Sequence, residues 1–115
     1  MSAAADADDI VVIVITAPDD AVAARVADVL VEGRLCACVT ILPAVRSVYR
    51  WQGAIERATE VQLVGKSRRG RVADVVAAVK AAHPFEVPEI IALPVVDGLP
   101  AYLRWVVDET SPEER

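Results

Sequence analysis

The chain has 115 residues, 55% of them hydrophobic, and its 17 acidic and 12 basic side chains give a formal net charge of −5. This length suits a single domain with a substantial core. The acidic balance argues against a surface that follows the phosphates of a nucleic acid, so we predict no nucleic-acid partner.

Both ends of the chain are poor in large apolar side chains. Residues 1–9 and 109–115 are therefore predicted to be disordered tails around one domain at residues 10–108, since they bury too little surface to offset their ordering entropy. The N-terminus begins acidic and lacks the pattern of a secretory signal. The apolar run that follows is far below the roughly 20 residues of a membrane helix. We thus predict a soluble, cytoplasmic protein with no membrane partner.

The first predicted element is a strand at residues 10–16, a β-branched run without alternation. Such a run is typical of a central strand that is covered on both faces or nearly so. Residues 16–33 then change to helical spacing, with valines at positions 22, 26 and 29. Gly33 suits the end of this predicted helix.

Two long extended segments follow, at residues 37–51 and 54–66. Gly53 between them can take the positive φ of a tight hairpin, and Pro43, which has no N–H, must kink or bulge the first strand. Both segments exceed the usual strand of roughly 5–6 residues, so the hairpin should project beyond the helices. Its apolar side chains and open edge are then predicted to be covered by other copies of the chain. These apolar residues are Val48, Tyr49, Trp51 and Ile55.

The last part of the chain predicts a helix at residues 71–82, a strand at 88–96 and a short helix at 99–109. His83 and Pro84 end the first of these helices, because a residue before proline is pushed out of the α region. The order β-α-β-β-α-β-α predicts an α+β fold of the ferredoxin-like kind with an extra C-terminal helix. In this fold two β-α-β halves share one antiparallel sheet with helices on one face.

His83 is the only histidine, and three roles are open to it. With Cys36 and Cys38 it would supply three of the four ligands of a closed metal site, and a carboxylate or another copy of the chain would have to complete the set. As a general base it lacks a nearby nucleophile or oxyanion loop, so we predict no enzyme and no catalytic residue. The third role is that of a side chain favoured by the negative end of a helix. The two cysteines are predicted to be buried free thiols.

Four blocks of the chain, in order and with matching spacing, resemble the signature of the CutA family of divalent-cation tolerance proteins. They are TAPD after the first strand, LCACVTILPAVRSVYRWQGAIE, EVQLVGKS and HPFEVPEIIALPV, and the resemblance extends over residues 10–107. It implies a ferredoxin-like subunit in a PII-like homotrimer, whose long hairpins, around Tyr49, Trp51 and Gly53, embrace neighbouring subunits. It also implies a role in the response to copper and other divalent metal ions, without an established catalytic activity.

The resemblance further implies where a ligand would bind. Copper-binding relatives carry a cysteine before the TAPD turn and two histidines before the later proline, and here Ile15, Ala82 and His83 occupy those positions. His83 is thus the one carried-over metal ligand, which predicts weak binding of copper or another divalent metal and no firmly bound cofactor. An alternative is a PII-like regulator that binds a small anion through Lys66. The residues predicted around an inter-subunit cleft are Trp51, Glu60, Lys66, Phe85, Glu86 and Glu89.

Overall fold

The computed structural model describes residues 6–111 as one antiparallel sheet with three α-helices. The elements are β1 (Ile10–Ala17), α1 (Asp20–Glu32), β2 (Cys38–Trp51), β3 (Ala54–Arg68), α2 (Val72–Ala82), β4 (Ile90–Pro94) and α3 (Pro100–Glu109). Within the described residues the strand order is β2-β3-β1-β4. This order confirms the predicted α+β, ferredoxin-like fold and its additional C-terminal helix.

β1 lies in the middle of the sheet, hydrogen-bonded to β3 on one side and to β4 on the other. One face of β1 is enclosed, because Ile13 and Ile15 are each 1% exposed and belong to the same buried cluster as Val26 of α1 and Val75 of α2. On the opposite face Val14 is only half-buried. Within this chain, therefore, one face of β1 is fully covered, as predicted, and the other face is only partly covered.

The helix boundaries follow the local signals of the sequence. The carboxylate of Asp19 accepts a hydrogen bond of 2.9 Å from the N–H of Val22 and so caps the start of α1. At the end of α2, His83 has an extended backbone with φ −103° and ψ 137°. This conformation is the one that a following proline favours. The predicted end of the second helix at His83 is confirmed.

The hairpin of β2 and β3 contains both irregularities that the sequence predicts. At its tip Gln52 and Gly53 adopt positive φ values of 49° and 83°, the backbone of a tight two-residue turn. A register shift separates the pair Leu42–Gln62 from the next pair, in which Val45 faces Glu60 across the strands. The strand is therefore bulged at Pro43, and Ala44 beside it has a φ of 59°.

The distal half of this hairpin projects from the body of the chain. β1 pairs with β3 only over residues 61–68, so the part of β3 before Val61 has β2 as its only strand neighbour in the described chain. Val48 is 66% exposed and Ile55 is 48% exposed. The predicted projection of the hairpin is confirmed.

α3 packs on the face of the sheet opposite α1 and α2. Its Tyr102 hydroxyl lies 3.5 Å from the Sγ of Cys38, and Cys38 pairs with Lys66 on the side that points away from the buried cluster. Arg68 donates hydrogen bonds to the Oγ1 and carbonyl oxygen of Thr110, at 3.2 and 2.9 Å, and holds the end of the helix against β3. α1 and α2 thus share one face of the sheet, as predicted for the two β-α-β halves, and the additional helix α3, whose face was not predicted, lies on the other.

The described chain extends beyond both predicted domain boundaries. α3 includes Glu109, and Thr110 is fully buried, so the boundary predicted at residue 108 falls before the end of the helix. At the other end the carbonyls of Ala7 and Asp9 accept hydrogen bonds of 2.8 Å from the N–H groups of Gly70 and Arg69. Residues 6–9 are thus tied to the chain after β3 rather than free. The rest of the two predicted tails, residues 1–5 and 112–115, lies outside the described residues.

Candidate functional site

A cavity of about 770 Å³ lies between the projecting hairpin, the end of β1 and the segment of residues 84–89. It brings together five of the six residues predicted for a cleft: Trp51, Glu60, Phe85, Glu86 and Glu89. Tyr49, predicted as a hairpin contact, also lines it. The described chain therefore assembles most of the predicted cleft residues around one space without help from another subunit.

The β-bulge decides on which face of the hairpin each side chain of the distal part of β2 lies. Side chains alternate between the faces of a strand, and one extra residue reverses the alternation after it. Val45 faces Glu60 across the two strands. Tyr49 and Trp51, at even spacing from Val45, consequently lie on the same side of the hairpin as Glu60. Without the bulge at Pro43 they would point to the other side.

Lys66 and Gly53 are predicted site residues that do not line the cavity. Lys66 lies in the middle of the sheet, where it faces Val12 of β1 and Cys38 of β2 across the strands. Gly53 forms the tip of the hairpin and has no atom within 4 Å of where its Cβ would be. The anion-binding hypothesis, which rests on Lys66, has no support from the position of this side chain within the single chain.

His83 is buried behind Phe85, and both of its ring nitrogens have backbone partners. The N–H of Phe85 donates to Nδ1 at 3.1 Å, so Nδ1 carries no proton. Nε2 lies 2.8 Å from the carbonyl oxygen of Thr16 and must donate its proton to it, because a carbonyl can only accept. The side chain is 7% exposed, and its ring centroid lies 4.8 Å from that of Phe85.

These contacts count against His83 as a metal ligand, because a metal would have to displace one of the two backbone partners from a buried ring. Ile15, at the position of the family's cysteine, is enclosed in the core at 1% exposure. Among residues 6–111 no group of three or more histidine, cysteine or acidic side chains is placed to hold a metal ion. The predicted metal role of His83 stays a prediction.

The carboxylates of the cavity differ in their surroundings. Glu89 accepts a hydrogen bond of 2.7 Å from the hydroxyl of Thr16, and Glu86 is exposed. Glu60 is 6% exposed, and its carboxylate has no hydrogen-bond or ion-pair partner among the described residues. Arg46 is the cationic side chain of the lining. The acidic side chains of the cavity therefore outnumber its basic side chain, and one of them belongs to a largely buried residue.

Several lining residues were not predicted from the sequence. Thr16 belongs to the TAPD block at the end of β1, and its carbonyl lies next to His83. It could therefore have been predicted to line the cavity with the segment that follows His83. Arg46 and Ser47 also line the cavity. No sequence signal identifies them, because the hairpin and the segment of residues 84–89 come together only in the folded chain.

The two cysteines are free thiols, as predicted, but only Cys36 is fully enclosed. Burial raises the pKa of Cys36 to about 12, and the neighbouring Cys38 adds to this shift. The hydrogen bond with Cys38, together with burial, raises the pKa of Tyr102 to about 12. Because reactivity needs a thiolate, Cys36 is inert at neutral pH.

The sequence matches a family model over residues 11–109, and that family is described as the CutA1 divalent ion tolerance protein. The chain belongs to the CutA family. A relative from Pectobacterium atrosepticum, named divalent-cation tolerance protein CutA, is 47% identical over 98 residues, which cover 85% of this chain and 89% of the relative. A homologue from Xenopus laevis is 45% identical, and the match covers 82% of this chain but 62% of that longer protein.

Solved structures of CutA proteins have the same fold as this chain. CutA from Xylella fastidiosa has a TM-score of 0.87 and 44% identity, covering 90% of this chain and 99% of that one. A protein from Archaeoglobus fulgidus, with a TM-score of 0.86 and 39% identity, covers 89% of this chain and 99% of its own, and is named a periplasmic divalent cation tolerance protein. No helix in the described part of the chain is long and apolar enough to cross a membrane.

Proposed function

We propose that this CutA-family chain acts in divalent-cation tolerance as a non-enzymatic homotrimer located in the cytoplasm. The observation that carries the assembly is the projecting hairpin with its exposed apolar residues. The number of three copies rests on the resemblance to the CutA family. The tolerance role rests on membership of that family.

The surface of the chain supports association at the hairpin. Tyr49 is 40% exposed and Trp51 is 41% exposed, next to the more exposed Val48 and Ile55. A two-stranded ribbon with apolar side chains and free strand edges is unfavourable in water unless another chain covers it. A second apolar surface lies at β4, where Ile91 and Leu93 are each 48% exposed. Burial of both surfaces between copies would remove these apolar side chains from water.

The assembly can be tested by sedimentation equilibrium of the full chain. The expected mass is about 37 kDa, three times 12.3 kDa. Ile55→Glu places a charge on the hairpin outside the cavity and should shift the protein towards the monomer. Val31→Glu is the matched control, because Val31 is similarly exposed at 42% but lies on α1. A monomeric wild-type protein would disprove the proposed trimer.

Metal binding is the second part of the proposal and is expected to be weak. His83 is the predicted contact, and its buried, twice-bonded ring means that binding would require local opening of the segment before β4. Titration of Cu(II), Cu(I) and Zn(II) into the full chain by calorimetry tests it. Binding that disappears in His83→Ala, measured under conditions in which the variant remains folded, would support the contact, and binding unchanged in that variant would remove it.

A further inference from the structure

We propose that the two faces of the projecting hairpin are complementary surfaces, and that the arginine-bearing face of one copy of the chain packs against the acidic, aromatic face of the next copy. This contact rests on the proposed homotrimer and specifies which surfaces of neighbouring copies meet. The cavity beside the hairpin is then part of an interface, and a second copy of the chain supplies the counter-charge of its carboxylates.

One face of the hairpin carries arginines and aliphatic side chains. Residues directly opposite each other in an antiparallel pair point to the same side, and successive residues of a strand alternate. Val48 faces Arg57 across the strands and Arg50 faces Ile55. This side, which we call the arginine face, consists of Arg46, Val48, Arg50, Ile55, Arg57 and Thr59. None of the ion pairs within residues 6–111 includes a residue of this face.

The other face carries aromatic and acidic side chains. Tyr49 faces Glu56 across the strands, and Val45 faces Glu60. This side, which we call the acidic face, consists of Val45, Ser47, Tyr49, Trp51, Ala54, Glu56, Ala58 and Glu60. Glu60 lines the cavity together with Glu86, so negative charge continues from the hairpin onto the neighbouring segment of residues 84–89.

The two faces match each other in charge and in side-chain chemistry. Guanidinium groups form paired hydrogen bonds with carboxylates, and they also stack on aromatic rings. The arginines of one copy can thus pair with Glu56 and Glu60 of the next copy, while Val48 and Ile55 pack against its aromatic rings. Glu60 is 6% exposed, and a carboxylate held away from bulk water is stabilised by such a cation.

The difference in charge between the faces also determines the symmetry of the contact. An isologous contact would bring the same face of both copies together, arginine against arginine or glutamate against glutamate, and like charges at an interface are costly. A heterologous contact joins unlike faces, so the copies follow one another head to tail. A closed ring of three copies uses both faces of every hairpin, in agreement with the proposed homotrimer.

Charge reversal on each face tests this contact in the full chain. Arg50→Glu/Arg57→Glu reverses the arginine face, and both arginines are exposed. Glu56→Arg/Glu86→Arg reverses the exposed charges on the acidic side. In sedimentation equilibrium over a dilution series, we expect each double variant to associate at least about tenfold more weakly than the wild type. The second variant also reduces the net negative charge of the chain, which is −5, so general repulsion between copies cannot explain its weaker association.

Arg25→Glu/Arg69→Glu is the matched control, with the same change in net charge as the first variant. Both arginines are exposed and lie outside the hairpin, so this variant should associate like the wild type. An equal mixture of the two hairpin variants separates contacts between copies from effects within one chain. In the mixture a reversed arginine face can meet a reversed acidic face, and native mass spectrometry should show mixed trimers in excess over both pure trimers.

The outcomes distinguish this contact from the homotrimer itself. A trimeric wild type together with a hairpin variant that associates equally well, a control that loses as much, or a mixture without an excess of mixed trimers would overturn the proposed contact and leave the homotrimer in place. A monomeric wild type would refute the homotrimer and this contact with it.

Discussion

His83→Ala should lower the free energy of unfolding substantially, because the imidazole joins three parts of the chain. Nε2 donates to the carbonyl of Thr16 at the end of β1, and Nδ1 accepts from Phe85 in the segment before β4. The ring itself belongs to the residue that ends α2. Alanine would remove both hydrogen bonds and leave a space next to Phe85.

The expected loss can be worked out from these contacts. A buried polar group left without its partner costs roughly 1–3 kcal/mol. The carbonyl of Thr16 is the more costly partner, because Thr16 is partly buried while Phe85 is 38% exposed and its N–H can turn to water. Adding the ring's lost packing, we expect a decrease of about 3 kcal/mol. That is a large fraction of the roughly 5–15 kcal/mol that stabilises a domain.

Urea unfolding at one fixed protein concentration measures this loss, since the stability of an oligomer depends on concentration. Lys80→Ala is the control, because its exposed ammonium also reaches this segment, at 2.8 Å from the carbonyl of Glu86, and its removal should cost less than about 1 kcal/mol. A change below about 1 kcal/mol in His83→Ala, accompanied by loss of metal binding, would refute the structural reasoning and favour the ligand role.

Three further predictions concern the core and the C-terminal helix. Gly65→Ala should lower the free energy of unfolding by about 1–3 kcal/mol, because its Cβ would lie 3.1 Å from the Sγ of Cys36. In urea unfolding, the double variant with Cys36→Ala should lose less free energy than the sum of the two single variants. Above pH 9 the unfolded chain forms the thiolate first, since the pKa of Cys36 rises from 9.0 to about 12 on folding. The contribution of Cys36 to the free energy of unfolding is fully present below pH 9 and should fall by about 2 kcal/mol between pH 9 and pH 10.5. If the free energy of unfolding of the wild type depends on pH in the same way as that of Cys36→Ala, this prediction is wrong. Arg68→Met removes the hydrogen bonds to Thr110 and should speed hydrogen exchange in α3, whereas unchanged exchange there would show that the packing of the helix suffices.

The fold was largely predictable because its signals are local. The change from strand to helical spacing, the stop at His83–Pro84 and the turn at Gly53 each depend on neighbouring residues only. The position of α3 on the opposite face was not predictable in this way. It depends on contacts between Arg68 and Thr110, which are far apart in the sequence.

The inter-subunit cleft stays a prediction. The family resemblance selected Trp51, Glu60, Phe85, Glu86 and Glu89, and these residues do line one cavity. Their common location could not be worked out from spacing, because Glu60 and Glu86 lie on different elements that only the folded chain brings together.

The sequence by itself determined the order of elements, the projecting hairpin and the chemistry available at its base. The spacing of apolar and polar residues along the chain differs between strands and helices, and this local pattern is present before the chain folds. Only the tertiary structure decided what that chemistry faces. It turned both nitrogens of His83 to backbone groups, enclosed Ile15 in the core and left the carboxylate of Glu60 open to an aromatic cavity. Burial and hydrogen-bond partners arise from contacts that are distant in the sequence, and the spacing of residues along the chain does not reveal them.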